Sequence, residues 1–231
     1  MIEQQILQCI ADFATAAHNA MKAGFDCMEI HGANGYLVDQ FLQNTCNRRT
    51  DAWGVSVEKR ARFGIKVAKA CAEKIGAEQV GFRISPWSLL QGMRIRDPVP
   101  TFSYLTQELK GLGPGYLHII ESRVNNNVDC ESTESIDFLL DVRGKENPGL
   151  VAGGYTPENV WDATDAKYRD FEVMFVLRRH FVANPDLVLR AKNGMALNQY
   201  DRNTFYAQGK TTEEGYTDYP FDKGVVEAVG V

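Results

Sequence analysis

No stretch of this 231-residue chain approaches the roughly 18 consecutive apolar residues of a membrane-spanning helix, and no charge of one sign accumulates in a run. Lys and Arg are scattered, the longest clusters being pairs such as Arg48-Arg49 and Arg178-Arg179. Together with a net charge of −5, that scatter argues against nucleic acid or an anionic membrane as partner. Cysteine is sparse: five residues, at 9, 27, 46, 71 and 130, with no Cys-x-x-Cys pair. An odd, widely spaced set gives no support to a disulfide framework or a zinc site; it fits reduced thiols in the cytoplasm. Cys27 and Cys71 stand in apolar surroundings and read as core residues. No Gly-x-Gly-x-x-Gly follows any strand, and Gly32-Ala33-Asn34-Gly35 is a poor substitute, which weakens a dinucleotide-binding fold. The first residues, MIEQQILQCIADF, are amphipathic and acidic and do not read as a signal peptide. Low-complexity segments and linkers are also missing, and a 44% hydrophobic, 24% charged composition is that of an ordinary globular protein.

What is present alternates. Ile6, Ile10, Phe13, Ala17 and Met21 recur at three-to-four spacing and predict a helix over 3–23, stopped at Gly24. A strand at Cys27–Ile30 follows, then the polar turn His31-Gly-Ala-Asn34-Gly-Tyr36, after which Leu37, Phe41 and Leu42 resume helical spacing. The pattern then predicts a helix from about Val57 to Lys74, a strand Val80–Ile84, a helix near 101–110 and a strand Tyr116–Ile120. Residues 124–148 read as polar loop with one short helix around Ile136–Leu140. Leu150–Ala152 is a fourth strand, closed by Gly153-Gly154, and Thr156-Pro157-Glu158 reads as an N-cap and first turn of a helix. Phe171–Leu177 is a fifth apolar run, Asn184-Pro185-Asp186 opens another helix, and the tail from Asn198 is loop-rich and aromatic. Alternating strands and helices predict a parallel α/β sheet in a single domain over 1–231, either doubly wound or part of a (β/α)8 barrel.

In such folds ligands sit at the carboxyl ends of strands. His31 and Asn34 lie just past one such end, and both can donate a hydrogen bond from a side-chain nitrogen. Two donors on one oxygen polarise a carbonyl. The Tyr36 phenol, with an ordinary pKa near 10, is a poor base and a suitable proton donor to a carbanion. The same residues also read as a rim histidine, an Asn-Gly turn and a packing tyrosine. Arg83 is a charge inside the apolar strand GFRIS, so it calls for a carboxylate or an electron-rich ligand. Gly153-Gly154, before a helix, offers backbone N–H groups of the kind that cradle phosphate. Arg179, at the next strand end, can grip the same group bidentately.

These residues resemble the old yellow enzymes, the FMN-dependent ene-reductases. The resemblance runs through AGFDCMEIHGANGYLVDQFL, NRRTDAWG with S-V-E-K-R-ARF, GFRISPW, YLHIIESRV, VAGGYTPE, RRHFVANPDLVLR and LNQYDRNTFY with GYTDYPF. ESRVNNNVDCE and the AWG loop are most similar to the fungal branch, whose members serve secondary metabolism. The resemblance implies FMN and NADPH as cofactors and a small enone or enal as substrate. It implies that His31 and Asn34 hold the substrate carbonyl oxygen, and that Tyr36 protonates the α-carbon after hydride reaches the β-carbon. Arg83 would lie against the pyrimidine edge of the flavin, Gly153, Gly154 and Arg179 would hold its phosphate, and Tyr206 would line the substrate pocket. A phenylalanine in place of Tyr36 goes with isomerase behaviour in that family, so the tyrosine favours reduction.

The chain also departs from the family pattern. A complete (β/α)8 barrel usually takes ~250 residues, and the five strands here correspond to units four to eight of the barrel. Arg178 stands where the family has glycine before the phosphate arginine, Val55 replaces one glycine of a Gly-Gly turn, and Lys59 replaces an asparagine. These departures leave room for an alternative: a truncated, flavin-free relative acting as an isomerase or acid catalyst, as a partner-dependent subunit, or as an inactive remnant. Two chains pairing as a homodimer or composite barrel would bury the open edges.

Overall fold

In the computed structural model, which describes residues 1–122, 124–125, 128–129, 134–145, 147–206 and 213–224, the alternation is realised nearly element for element. Helix α1 (Glu3–Lys22) leads to strand β1 (Met28–Gly32), the turn and helix α2 (Leu37–Leu42). Helix α3 (Val57–Ile75), capped by Ser56 accepting from the Lys59 N–H, precedes β2 (Val80–Ile84). Then follow α4 (Val99–Leu112), β3 (Tyr116–Ile120), a hairpin of β4 (Val124–Asn125) and β5 (Val128–Asp129), α5 (Asp137–Arg143) and β6 (Gly149–Ala152). A three-residue α6 (Val160–Asp162), β7 (Val173–Val176), α7 (Arg178–Ala183) and α8 (Leu187–Asn193) complete the order. Strands β1, β2, β3, β6 and β7 lie side by side in that order, and the β1–β2, β2–β3 and β3–β6 pairs are parallel. Among the described residues no helix is long and apolar enough to cross a membrane.

The chain divides into two units, Met1–Gly154 with Tyr168–Met174, and Tyr155–Lys167 with Phe175–Val231. In the first, strand side chains alternate between two faces. Ile30, Phe82, Ile84, Leu117, Ile119 and Val151 are buried on the face that meets the helices, against residues such as Phe63, Val67, Phe102, Leu105 and Leu139. This apolar layer is the core, and its burial is what fixes the strand register. An Ile119→Val variant, which removes one methylene from a fully buried position, is expected to lower stability by about 0.5–1.5 kcal/mol in urea denaturation. The opposite face carries Glu29, His31, Arg83, Tyr116 and His118 instead. In the second unit, Asp186 and Arg190 form a buried ion pair at 2.6 Å, and the Asp222 N–H donates to the same carboxylate at 2.7 Å, tying the tail to α8.

Four local expectations change. Strand β1 begins at Met28, so Cys27 precedes the sheet and is exposed, whereas Cys71 is buried as expected. At Thr156-Pro157-Glu158 the chain makes a turn, with the Asn159 Oδ1 accepting from the Thr156 N–H, and the α-helix starts only at Val160. The segment read as loop contains the β4–β5 hairpin. Arg178-Arg179, read as the end of a strand, instead opens α7. The strand-end Arg123 and Cys130 lie outside the described residues.

Candidate active site

The register of the sheet puts His31 opposite Arg83 and Arg83 opposite His118, one row across three strands on the face away from the helices. One pleat lower, Glu29 pairs with Gly81 and Gly81 with Tyr116. The Glu29 carboxylate meets the His118 Nδ1 at 2.8 Å. Burial pushes the Glu29 carboxyl up, but the His118 hydrogen bond and the charges of His118 and Arg83 outweigh it and hold the group below the ordinary carboxylate value. His31 is pushed the other way from its ordinary value, first by burial and then by the Arg83 charge. At neutral pH it is therefore an uncharged imidazole, which donates from one ring nitrogen only. Its buried Nδ1 has no hydrogen-bond partner among the described residues.

The turn after β1 is fixed by its backbone. Asn34 and Gly35 both take left-handed conformations, at φ 58° and 78°. Asparagine tolerates that region, but Gly35 is required there twice over, since a Cβ would come within 2.8 Å of the Gln91 Cβ. The Asn34 N–H donates to the Ser85 Oγ at 2.8 Å, and its carbonyl accepts from the Gln91 Nε2 at 3.0 Å. With both backbone groups held, the Asn34 carboxamide makes no hydrogen bond among the described residues. Tyr36 comes back over His31, with ring centroids 4.8 Å apart, and remains 54% exposed. His31 at the end of β1, Asn34 in the turn and Tyr36 at the start of α2 thus lie within six consecutive residues, with His31 in the Arg83 row.

Beneath the turn lies Asp39, which sequence reasoning passed over. It is wholly buried, accepts the Gly35 N–H at 2.9 Å and the Gln43 Nε2 at 2.9 Å, and burial raises its pKa to about 6. Because the folded value lies above the unfolded one, this group's contribution to stability is full below pH ~4 and is lost as pH rises through about 6. An acid on the inward stripe of an otherwise apolar helical stretch (Leu37-Val38-Asp39-Gln40-Phe41-Leu42) was the available signal.

At the end of β6, Gly153 and Gly154 have φ of 111° and 71°. A Cβ on Gly153 would meet the Glu121 backbone at 3.2 Å, so the glycine permits a close backbone approach there. Arg179 and Tyr206 belong to the second unit. Within it, Arg179 donates to the Tyr200 hydroxyl at 3.2 Å, while Arg178 donates to the Tyr206 hydroxyl at 2.7 Å and lies over that ring. Tyr206 is 71% exposed.

Residues 1–198 match the sequence pattern of the NADH:flavin oxidoreductase / NADH oxidase family. The chain belongs to that family. Among solved structures it is similar to the old yellow enzyme from Pichia sp. AKU4542, with a TM-score of 0.84 at 33% identity over 96% of this chain and 57% of that one. The parallel sheet is accordingly part of a (β/α)8 barrel, the second of the two arrangements that the alternation of elements left open. The chain is 47% identical over 227 residues to the chanoclavine-I aldehyde reductase fgaOx3 of Penicillium roqueforti, covering 98% of this chain and 61% of that protein. It is 44% identical over 228 residues to the probable inactive dehydrogenase easA of Claviceps purpurea, covering 96% and 60%. The chain therefore spans about three fifths of the length of these relatives. Membership of a flavin oxidoreductase family implies FMN. In the first unit three features fit it: a guanidinium in the strand-end row, an orphaned buried nitrogen on His31, and two glycines of positive φ at the end of β6, where a Cβ on Gly153 would press on the Glu121 backbone.

Proposed function

We propose that the chain is an FMN-dependent reductase of the activated C=C bond of an α,β-unsaturated carbonyl compound, with NADPH as reductant. The observation that carries this reading is His31 at the end of β1, opposite Arg83 and under the Tyr36 ring, with Asn34 in the turn between them. FMN, when bound, would supply the two-electron hydride chemistry between a nicotinamide and the alkene β-carbon. In the first unit Arg83, Gly153 and Gly154 would hold it, a cation at the ring and backbone N–H groups at the phosphate.

The chain's own residues do the rest. Neutral His31 and the Asn34 carboxamide bind the carbonyl oxygen and favour the enolate-like charge that develops on it. Tyr36 delivers a proton to the α-carbon. The likeness to a chanoclavine-I aldehyde reductase of Penicillium roqueforti supports an aldehyde as substrate. The resemblance to the fungal branch points to secondary metabolism, and the sparse, unpaired cysteines point to the cytoplasm.

Purified full-length chain titrated with FMN is expected to become yellow at one flavin per chain and to bleach on addition of NADPH. A protein that stays colourless after FMN overturns the reading. A second reading has its own support: five sheet strands, and a relative described as probably inactive. In that case the chain is a flavin-free acid catalyst or isomerase, an inactive remnant, or one part of a homodimeric or composite barrel. A size-exclusion mass above that of the monomer would favour the assembled form.

A further inference from the structure

We propose that Asp39 is a positioning residue for the carbonyl-binding turn: by accepting the Gly35 N–H from below, its carboxylate sets the His31, Asn34 and Tyr36 geometry and makes that geometry depend on the charge state of a buried acid. The inference rests on the catalytic reading of that turn and adds a residue that touches neither substrate nor flavin.

Three observations carry it. Gly35 lies between Asn34 and Tyr36, and its amide is bonded to Asp39 Oδ2 at 2.9 Å. Asp39 Oδ1 accepts from the Gln43 amide nitrogen at 2.9 Å, and the buried Gln43 in turn accepts the Ile95 N–H at 2.9 Å. One continuous buried chain of hydrogen bonds thus joins the turn to α2 and to the loop after β2. That loop contributes Gln91 as well, whose side chain holds the Asn34 carbonyl. Both donors to Asp39 need an acceptor, and an ionised carboxylate offers one oxygen to each. A protonated carboxyl turns one of its oxygens into a donor and leaves one of the two N–H groups without a good acceptor.

No countercharge holds Asp39 ionised. It forms no ion pair among the described residues. From α3, Arg60 directs its donors to Leu42 O, Val55 O and Thr101 Oγ1. In the loop after β2, Arg94 pairs with Glu134. The titratable side chain that senses Asp39 is Cys46, whose thiol is pushed up by burial and by this carboxylate. Only burial and the two accepted hydrogen bonds set the balance, and it falls near pH 6.

The test is an amide titration of the full 15N-labelled chain, without flavin. The Gly35 amide proton is expected to shift upfield as pH falls from 8 to 5, with a midpoint near 6, and the shift is expected to vanish in Asp39→Asn. A Gly35 amide that stays flat over that range in the unmodified chain overturns the proposal, even if the variant does not fold. In the FMN-loaded protein, kcat/KM for a conjugated enal is expected to fall as pH drops through about 6, and Asp39→Asn is expected to lose that limb together with roughly tenfold to 10²-fold of kcat/KM at pH 7. A titrating Gly35 with no matching limb in kcat/KM refutes the positioning role alone. Failure to bind FMN defeats the catalytic reading while leaving the Gly35 titration to stand on its own.

Discussion

A Tyr36→Phe variant is expected to reduce conjugated enals about 10²–10⁴-fold more slowly, the range for loss of a positioned general acid, while NADPH still bleaches bound flavin at the unmodified rate. The two half-reactions separate because they need different groups. Hydride transfer from nicotinamide to flavin moves no proton from Tyr36. Completion of alkene reduction leaves an enolate-like carbon that must take a proton, and the phenol is placed beside His31 with ring centroids 4.8 Å apart. Neutral His31 is a weak acid, and its role toward the carbonyl oxygen keeps its N–H occupied. The substitution removes one hydroxyl and preserves the ring that packs at a tilt against His31, so the turn itself is unaltered. Stopped-flow measurement of both half-reactions decides the matter: equal slowing of the two would mean that Tyr36 shapes the pocket and is not the acid.

Much of this molecule was legible in its sequence, for reasons visible in particular residues. Strands β2 and β3 match the predicted limits because Val80, Phe82 and Ile84, and Leu117 and Ile119, are buried on one face, while Gly76 and Gly113 mark the helix ends before them. The hairpin of β4 and β5 was not legible, since two residues per strand show no period. Helix α7 was missed because six residues, RRHFVA, are too few to show a helical stripe after an apolar run. At the site, His31, Asn34 and Tyr36 stood out as polar groups closing a strand, and the structure places them at the end of β1, in the following turn and at the start of α2. Asp39, Ser85 and Gln91, which hold that turn, were not legible as such. Their roles come from pairings 4, 51 and 57 residues apart in sequence, which only the folded chain brings together. Val55 was noted only as the replacement of a family glycine. It adopts φ 73°, a conformation that a β-branched residue enters only under strain.

That strain leads to the largest stability effect expected here, an Arg60→Met variant less stable by roughly 2–4 kcal/mol. Arg60 is 7% exposed, and burial lowers its pKa, yet it remains charged, as guanidinium does in proteins. Its Nε donates to Leu42 O at 2.9 Å, Nη1 to Val55 O at 2.6 Å and Nη2 to Thr101 Oγ1 at 2.8 Å. One planar fork therefore closes the end of α2, holds the strained Val55 and reaches α4. Replacing a buried charge by an apolar side chain is often neutral, because the desolvation penalty goes with the charge. Here the outcome differs, because three neutral acceptors on three segments would be left behind, with two backbone carbonyls deprived of a charged donor. Lysine at this position offers a point charge that cannot reach all three, so Arg60→Lys is expected to recover less than half of the loss. Urea denaturation of the two variants is the check. A methionine variant as stable as the parent would mean that the cost of burying the guanidinium offsets all three bonds, and that Val55 and the end of α2 are held in place without them.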